Sequence, residues 1–357
     1  LDETASPSNP YPDTYLPGAP ATPCLEITVD TMGAQSSTRI PFETPPLVVP
    51  TRSATLSPVA DVINTAAENR TVTVQLDNVG PQDADTCLKA PTGWKVSQSG
   101  KTISAEAPAD VRPGLYTLVL EIDGVPAQSV RHIQRNADAH RALVHPAEVQ
   151  IRVIEAQLPD AKVGYIGGGN DRVAHWLNRI GVDVTDLSNH ELSAETLADY
   201  DTLVVGIFGM KFCKGLADAM PRIHDWTRRG GTLVTLYHRP WDNWDPDAIP
   251  PHRLEIGQPS LRWRVTDEAS PVTLLQPDHP LLHTPNEITE VDWADWHKER
   301  GLYFAKAWDA AYKPLISMHD PDEAPLEGAW LVADVGKGQH IHTSLILHHQ
   351  MEKLTPG

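Results

Sequence analysis

GGTLVTLYHRPWDNW, residues 230–244, is the stretch on which the fold turns. Two glycines close the segment before it. TLVTLY then reads as a strand buried on both faces, the near-continuous apolar kind found in parallel sheets, and it runs straight into a polar loop rich in tryptophan. Working upstream, DTLVVGIF (201–208) is a second such strand, and KVGYIGGG (162–169) is a third that ends in a glycine turn. Between them, Val173, Trp176, Leu177 and Ile180 recur at i, i+3, i+4 and i+7, one face of a helix stopped by Gly181. VDVTDLS (182–188) reads as a strand, a short helix is expected around 193–199, and a longer helix over roughly 216–229. A β-α-β-α-β-α-β series implies a parallel sheet with right-handed crossovers. Ligands of such sheets bind beyond the carboxyl ends of the strands, which is where Tyr237 and the residues after it stand.

The preceding region has a different period. TVTVQLDNVG (71–80) alternates, residues 93–108 read as two strands about Ser99-Gly100, residues 114–133 as a hairpin about Asp123-Gly124, and residues 148–156 as another strand. Short strands separated by Gly and Pro indicate a β-sandwich. The first 50 residues carry too much Pro, Ser and Thr for a packed core and read as an extended arm or linker, with a short strand around Leu25–Val29. The expected organisation is multidomain: a Pro-rich arm over 1–50, an Ig-like β-sandwich over 51–157, and a three-layer α/β domain of flavodoxin-like type over 158–357.

The bulk numbers agree with two domains. The chain has 357 residues and 40% hydrophobic content, enough for two cores, and no apolar run of about 18 residues that would span a membrane. A formal charge of −18 excludes a nucleic-acid partner, which needs clustered Lys and Arg. The chain starts at Leu1 without Met, which fits a processed product or a piece of a longer polypeptide. Cys24 and Cys87 lie in the β-rich half, and two readings stay open for them: a disulfide, implying an oxidising compartment, or two free thiols.

Few motifs carry chemistry. GYIGGGND is not G-x-G-x-x-G, and its Asp171 would cap a helix but repel a pyrophosphate. No cofactor is expected. A nucleophile elbow needs Ser or Cys between glycines, and TLYHRP supplies neither. Cys213 stands alone and reads as a small buried residue. His340 and His342 share a strand face, but no carboxylate or Cys has matching spacing, so packing histidines are preferred to a metal site. DNWDPD (242–247) lacks EF-hand spacing. Asn69-Arg70-Thr71 matches a glycosylation sequon of a kind that arises by chance. Tryptophan usage says more: nine of ten follow residue 170, and several sit beside Asp, Asn, His and Arg, the mixture of flat faces and hydrogen-bonding groups that a sugar cleft requires. The candidate cleft comprises Asn170, Asp171, Tyr237, His238, Arg239, Trp241 and Trp244.

Taken in order, KVGYIGGGNDRVAHWLNRIGVDVTDLS, DTLVVGI, GGTLVTLYHRP, RVTDEASPVTLLQPDHPLLHTPNEIT, DWADWHKERGLYFAKAWD and GAWLVADVGKGQHIHTSL resemble the C-terminal region of bacterial PIG-L (LmbE-like) deacetylases. There a β-sandwich precedes a domain similar to class I glutamine amidotransferases and ThuA-like proteins. The resemblance covers about 155 to 346. It implies that a nucleophilic Cys would follow TLVTLY, where this chain has Tyr237 and His238. The later His-x-Glu pair of amidotransferases has no counterpart, the His-Pro-Asp-Asp-Glu of the deacetylase domain is missing, and VHPAEV (144–149) lacks the Asp pair. The reading that follows is a non-catalytic, extracytoplasmic accessory or envelope protein. It would bind a glycan or N-acetylated sugar, or else a deacetylase domain or cell-envelope protein. The alternative is a hydrolase with an unorthodox site, His238 acting as base beside Asp242 or a metal held by the histidines.

Overall fold

The computed structural model describes residues 24–41, 49–134 and 140–356. Most of the Pro-rich stretch read as an arm lies outside these residues. Its described part is a hairpin of β1 (Cys24–Thr31) and β2 (Ala34–Pro41), paired antiparallel as a two-stranded sheet of its own.

The chain divides into two compact units, residues 1–59, 71–109 and 116–150 forming one, and 60–70, 110–115 and 151–357 the other. The β-rich part contains β3 (Ser53–Ser57), β4 (Ala60–Asn64), β5 (Thr71–Gly80), β6 (Thr86–Lys89), β7 (Lys95–Ser99), β8 (Thr102–Glu106), β9 (Gly114–Ile122), β10 (Val125–Pro126), β11 (Gln128–Gln134), β12 (His140–Pro146) and β13 (Glu148–Ile154). One sheet runs β12-β11-β3-β5-β8-β7, and the other β10-β9-β13-β4 with β6 on β9. Alternation in β5 puts Val72, Val74 and Leu76 inside and Thr73 and Gln75 outside, the period-two pattern of a sheet with one buried face. Asp123 at φ 51° and Gly124 at φ 73° make the turn expected there; both are in the left-handed region that two-residue hairpin loops require. Cys24 and Cys87 do not form a disulfide: both are free and exposed, one at the start of the isolated hairpin and the other on β6.

The second unit is built on a seven-stranded, mostly parallel sheet. Its elements are β14 (Lys162–Ile166), α1 (Val173–Arg179), β15 (Asp183–Asp186), α2 (Ala194–Leu197), β16 (Thr202–Val205), α3 (Gly209–Phe212), α4 (Leu216–Arg228) and β17 (Thr232–Leu236). A long excursion follows, holding β18 (Leu254–Ile256), β19 (Arg264–Val265), β20 (Thr273–Leu274), β21 (Gly301–Leu302), β22 (Ala305–Trp308), β23 (Lys313–Pro314) and β24 (Ile316–Ser317). Then come β25 (Trp330–Val335), β26 (Gly338–Thr343) and α5 (Leu347–Glu352). The sheet order is β15-β14-β16-β17-β26-β25-β23. It is parallel from β15 to β26; β25 then pairs antiparallel with β26, and β23 antiparallel with β25. One face is covered by α4, through Leu216, Ala219, Met220 and Ile223, packed with Leu203, Val205, Leu233 and Leu331. The opposite face carries Val163, Val204, Leu236, Val332 and Ile341, covered by α1 and by excursion residues such as Phe304 and Leu315. Among the described residues no helix is long and apolar enough to cross a membrane.

Candidate functional site

The chain reverses its order across the sheet between β14 and β16, so a crevice opens at their carboxyl ends, the usual ligand position in open α/β sheets. Asp171 organises it. Its Oδ1 accepts the Tyr165 hydroxyl at 2.6 Å and the Val173 backbone N–H at 2.9 Å, and its Oδ2 accepts the Ile207 N–H at 2.9 Å. One carboxylate therefore ties together the ends of two strands and the start of α1. Burial and the neighbouring carboxylate push the Tyr165 phenol well above its usual value. Gly167 and Gly206 leave room for the Tyr165 ring, which a Cβ at either position would strike.

The crevice has a volume of about 770 Å³ and is bounded by the Gly167–Gly169 turn, the loop after β15 with Asp186, Ser188, His190 and Glu191, and the segment Phe212–Lys214. The Ser188 hydroxyl donates to Asp186 and accepts the Gly167 N–H. Cys213 lies on this wall with its Sγ against the Ser188 carbonyl. Burial and Asp186 raise its pKa, so it is held as a thiol and not poised as a nucleophile. Asn170 is exposed beside the crevice, its amide folded back onto the Gly168 carbonyl at 3.1 Å.

Past the end of β17 the side chains fall into two groups. Tyr237 is buried, edge-on to Phe208 at 5.4 Å and stacked on Tyr303 at 6.0 Å. Desolvation, with Glu299 nearby, raises its pKa. His238 is fully buried; the Met210 N–H reaches Nε2 at 3.1 Å, so that nitrogen is the acceptor and Nδ1–H donates to the Leu236 carbonyl at 2.8 Å. Burial depresses its pKa to about 4. Trp244 is core: its Nε1–H donates to the Leu254 carbonyl at 3.0 Å and its ring packs on His238 and His342. Three residues assigned to the cleft, Tyr237, His238 and Trp244, thus face inward, the last two because a backbone donor and a backbone acceptor from elsewhere in the fold claim their polar atoms.

Arg239 and Trp241 face outward. Arg239 Nε and Nη2 grip the fully buried Asp242 at 2.7–3.0 Å, and the guanidinium lies 4.0 Å over the Phe208 ring and 5.8 Å from that of Trp241. Phe208 itself is held in the left-handed region at φ 57°. Trp241 is 55% exposed and edge-on to Tyr303 at 6.0 Å. Asp242 is committed to Arg239 and cannot orient His238 as a base. The acidic loop is likewise consumed internally, with Asp245 accepting the Asp247 N–H and Asp247 paired to Arg253.

His340 and His342 belong to a buried hydrogen-bonded chain. The Ser344 hydroxyl donates to the Tyr303 carbonyl, so His342 Nε2–H donates to Ser344 and its Nδ1 accepts from Thr235 at 2.9 Å. Thr235 Oγ1 lies 3.0 Å from His340 Nε2, and the Tyr312 hydroxyl, which also reaches the His252 carbonyl at 3.3 Å, lies 2.6 Å from His340 Nδ1. Burial favours the neutral form of both imidazoles. Among the described residues no group of three or more His, Cys, Asp or Glu is arranged to hold a metal ion. Sequence reasoning missed the loop carrying Asp186, Ser188 and His190, which reads as an ordinary turn. It also missed Glu299 and Tyr303, which come from over 60 residues downstream and have no local signal.

No family model matches the sequence, and no curated protein matches it. Among solved structures, the chain is similar to the cytoplasmic protein STM1381 from Salmonella typhimurium LT2 (14% identity, TM-score 0.34), over 54% of this chain and 92% of that one. It is also similar to a cold-adapted β-galactosidase from Rahnella sp. R3 (17% identity, TM-score 0.32, 54% of this chain and 30% of that one). A third likeness is to Gan42B, a GH42 β-galactosidase (15% identity, TM-score 0.30, 55% and 29%). The match spans under a third of the length of either β-galactosidase.

Proposed function

We propose that the α/β unit is a non-catalytic carbohydrate-binding module with an amidotransferase-like fold whose nucleophile position is filled by Tyr237. The exposure of Trp241 carries this reading. A large indole is kept in solvent at the carboxyl edge of a parallel sheet, braced by Tyr303 and flanked by a fixed guanidinium. Flat apolar rings beside hydrogen-bonding groups suit the two faces of a sugar. The crevice at the ends of β14 and β16, whose lining does not include Trp241, offers carboxylates, a hydroxyl, an amide and the half-exposed ring of Phe212. The absence of a free base at His238 and the thiol state of Cys213 support binding over turnover. The finer reading follows from the PIG-L-like sequence resemblance: the ligand is an N-acetylated sugar or glycan, the setting is extracytoplasmic, and the partner is a sugar deacetylase domain or an envelope protein. Calorimetric titration with N-acetylated oligosaccharides tests it: binding in wild type that is lost in Trp241→Ala supports the reading, and equal binding by both removes the cleft assignment.

A hydrolase remains the second reading, and Glu299 is what favours it. This carboxyl is buried, its pKa is raised by desolvation, and it lies close enough to Tyr237 to perturb the phenol, the pattern of a general acid. Turnover of an acetylated sugar or amide that disappears in Glu299→Gln would establish it; inactivity of the wild type across such substrates would dismiss it.

A further inference from the structure

Arg239 has more hydrogen-bonding capacity than Asp242 uses. A guanidinium presents its N–H donors as a planar fork on more than one edge. One edge, Nε with Nη2, is closed on the fully buried Asp242, whose oxygens lie 2.7–3.0 Å away and whose Oδ2 also accepts the Arg239 backbone N–H at 2.8 Å. The other edge, Nη1 with the second proton of Nη2, meets no acceptor among the described residues, and Nη1 reaches solvent. The Phe208 ring, 4.0 Å from the guanidinium carbon, and the Asp242 carboxylate hold the group in one orientation. Asp242 is also paired to a second cation: Lys211 Nζ lies 4.0 Å from Oδ1, with the lysine side chain 41% exposed. Holding one buried carboxylate takes one edge of one arginine. The second edge and the second cation are surplus to that task, and two cations on one carboxylate leave one positive charge beside Trp241.

We propose that the sugar bound at Trp241 carries a carboxylate, so that the ligand is an acidic glycan containing uronic-acid-type residues. The inference rests on the carbohydrate reading given above and narrows it. The sugar ring lies on the exposed Trp241 indole, whose centre is 5.8 Å from the guanidinium carbon, near enough for one sugar to meet both. Its carboxylate closes on the open edge of Arg239 in the two-point geometry that guanidinium and carboxylate share, and Lys211 adds a point charge. The chain as a whole, at a formal charge of −18, repels anions, so the attraction is confined to this spot and selects where along a glycan the protein sits.

Isothermal titration with two hexasaccharides tests the proposal: one alternating N-acetylglucosamine with glucuronate, the other its carboxyl-reduced, neutral counterpart. Wild type is expected to bind the acidic sugar at least about tenfold more tightly at low salt, with the preference shrinking as salt is added. Lys211→Gln leaves Asp242 paired to Arg239 and is expected to cut that preference about threefold. Arg239→Lys keeps a cation against Asp242 but has no second edge to offer, and is expected to remove most of the preference. Equal affinity for the two sugars, tighter binding of the neutral one, or a preference that survives both substitutions would overturn the inference and leave the carbohydrate reading standing. Failure of the wild type to bind either sugar would overturn that reading, and this inference with it.

Discussion

His238 Nε2 accepts the Met210 backbone N–H at 3.1 Å, across 28 residues of chain. That bond fixes the tautomer, removes the lone pair a general base needs, and locks the loop after β16 to the end of β17. His238 is therefore a fastener between two loops at the sheet's carboxyl edge. Its replacement tests that role. His238→Ala should strand the Met210 N–H and the Leu236 carbonyl and open a cavity, lowering stability by about 3 kcal/mol in urea titration. A variant as stable as wild type would contradict the role.

Acid should destabilise the α/β unit in a predictable window. The folded pKa of His238 is about 4 and that of His342 about 3, with His340 depressed as well, burial being the main cause in each. An unfolded histidine titrates near 6.5. Below that pH the unfolded chain binds more protons than the folded one, so stability is full only well above about pH 6.5 and falls as the pH drops toward the folded values. Each histidine contributes a slope of about 1.4 kcal/mol per pH unit. Urea midpoints at pH 7.5, 6.5 and 5.5 should fall a little between the first two and about three times as much between the last two. In His342→Gln, a smaller drop between the last two is expected.

Trp241 and Trp244 should separate binding from folding. Trp241→Ala removes an exposed ring and is expected to leave the unfolding midpoint unchanged while weakening sugar binding at least about tenfold, ~1.4 kcal/mol. Trp244→Ala removes a core indole hydrogen-bonded to Leu254 and should cost about 3–5 kcal/mol, read by thermal or chemical unfolding. The opposite assignment of the two effects would place the cleft elsewhere.

The three thiols should differ in reactivity. Cys24 and Cys87 are exposed, whereas Cys213 is half-buried with a raised pKa. Timed alkylation followed by mass spectrometry should label the first two rapidly and Cys213 slowly at neutral pH. Rapid labelling of Cys213 would contradict its assignment as a shielded thiol.

Much of the architecture was legible in the sequence because its signals are local. The apolar runs at β14, β16 and β17, the glycine stops, and the Val173–Ile180 helical face need only neighbouring residues. The carboxyl edge of the sheet, where Tyr237 and the residues after it stand, was legible for the same reason. Which side chains line it was not. Tyr237, His238 and Trp244 look as polar and accessible as Arg239 and Trp241 in the one-letter string, and only Met210, Leu254 and Tyr303, brought in by tertiary packing, turn them inward. The hairpin was equally hidden: a period-two pattern over Leu25–Val29 was visible, but its partner strand, Ala34–Pro41, is Ser- and Thr-rich and reads as linker.

The most direct test of a binding site without chemistry is an isothermal titration of an N-acetylated oligosaccharide series into wild type and Trp241→Ala, with the recovered sugars analysed for turnover. The account predicts saturable binding by the wild type, loss of that binding in a folded Trp241→Ala, and sugars returned intact. Sugars returned deacetylated or cleaved by the wild type, or undiminished binding by the variant, would contradict it.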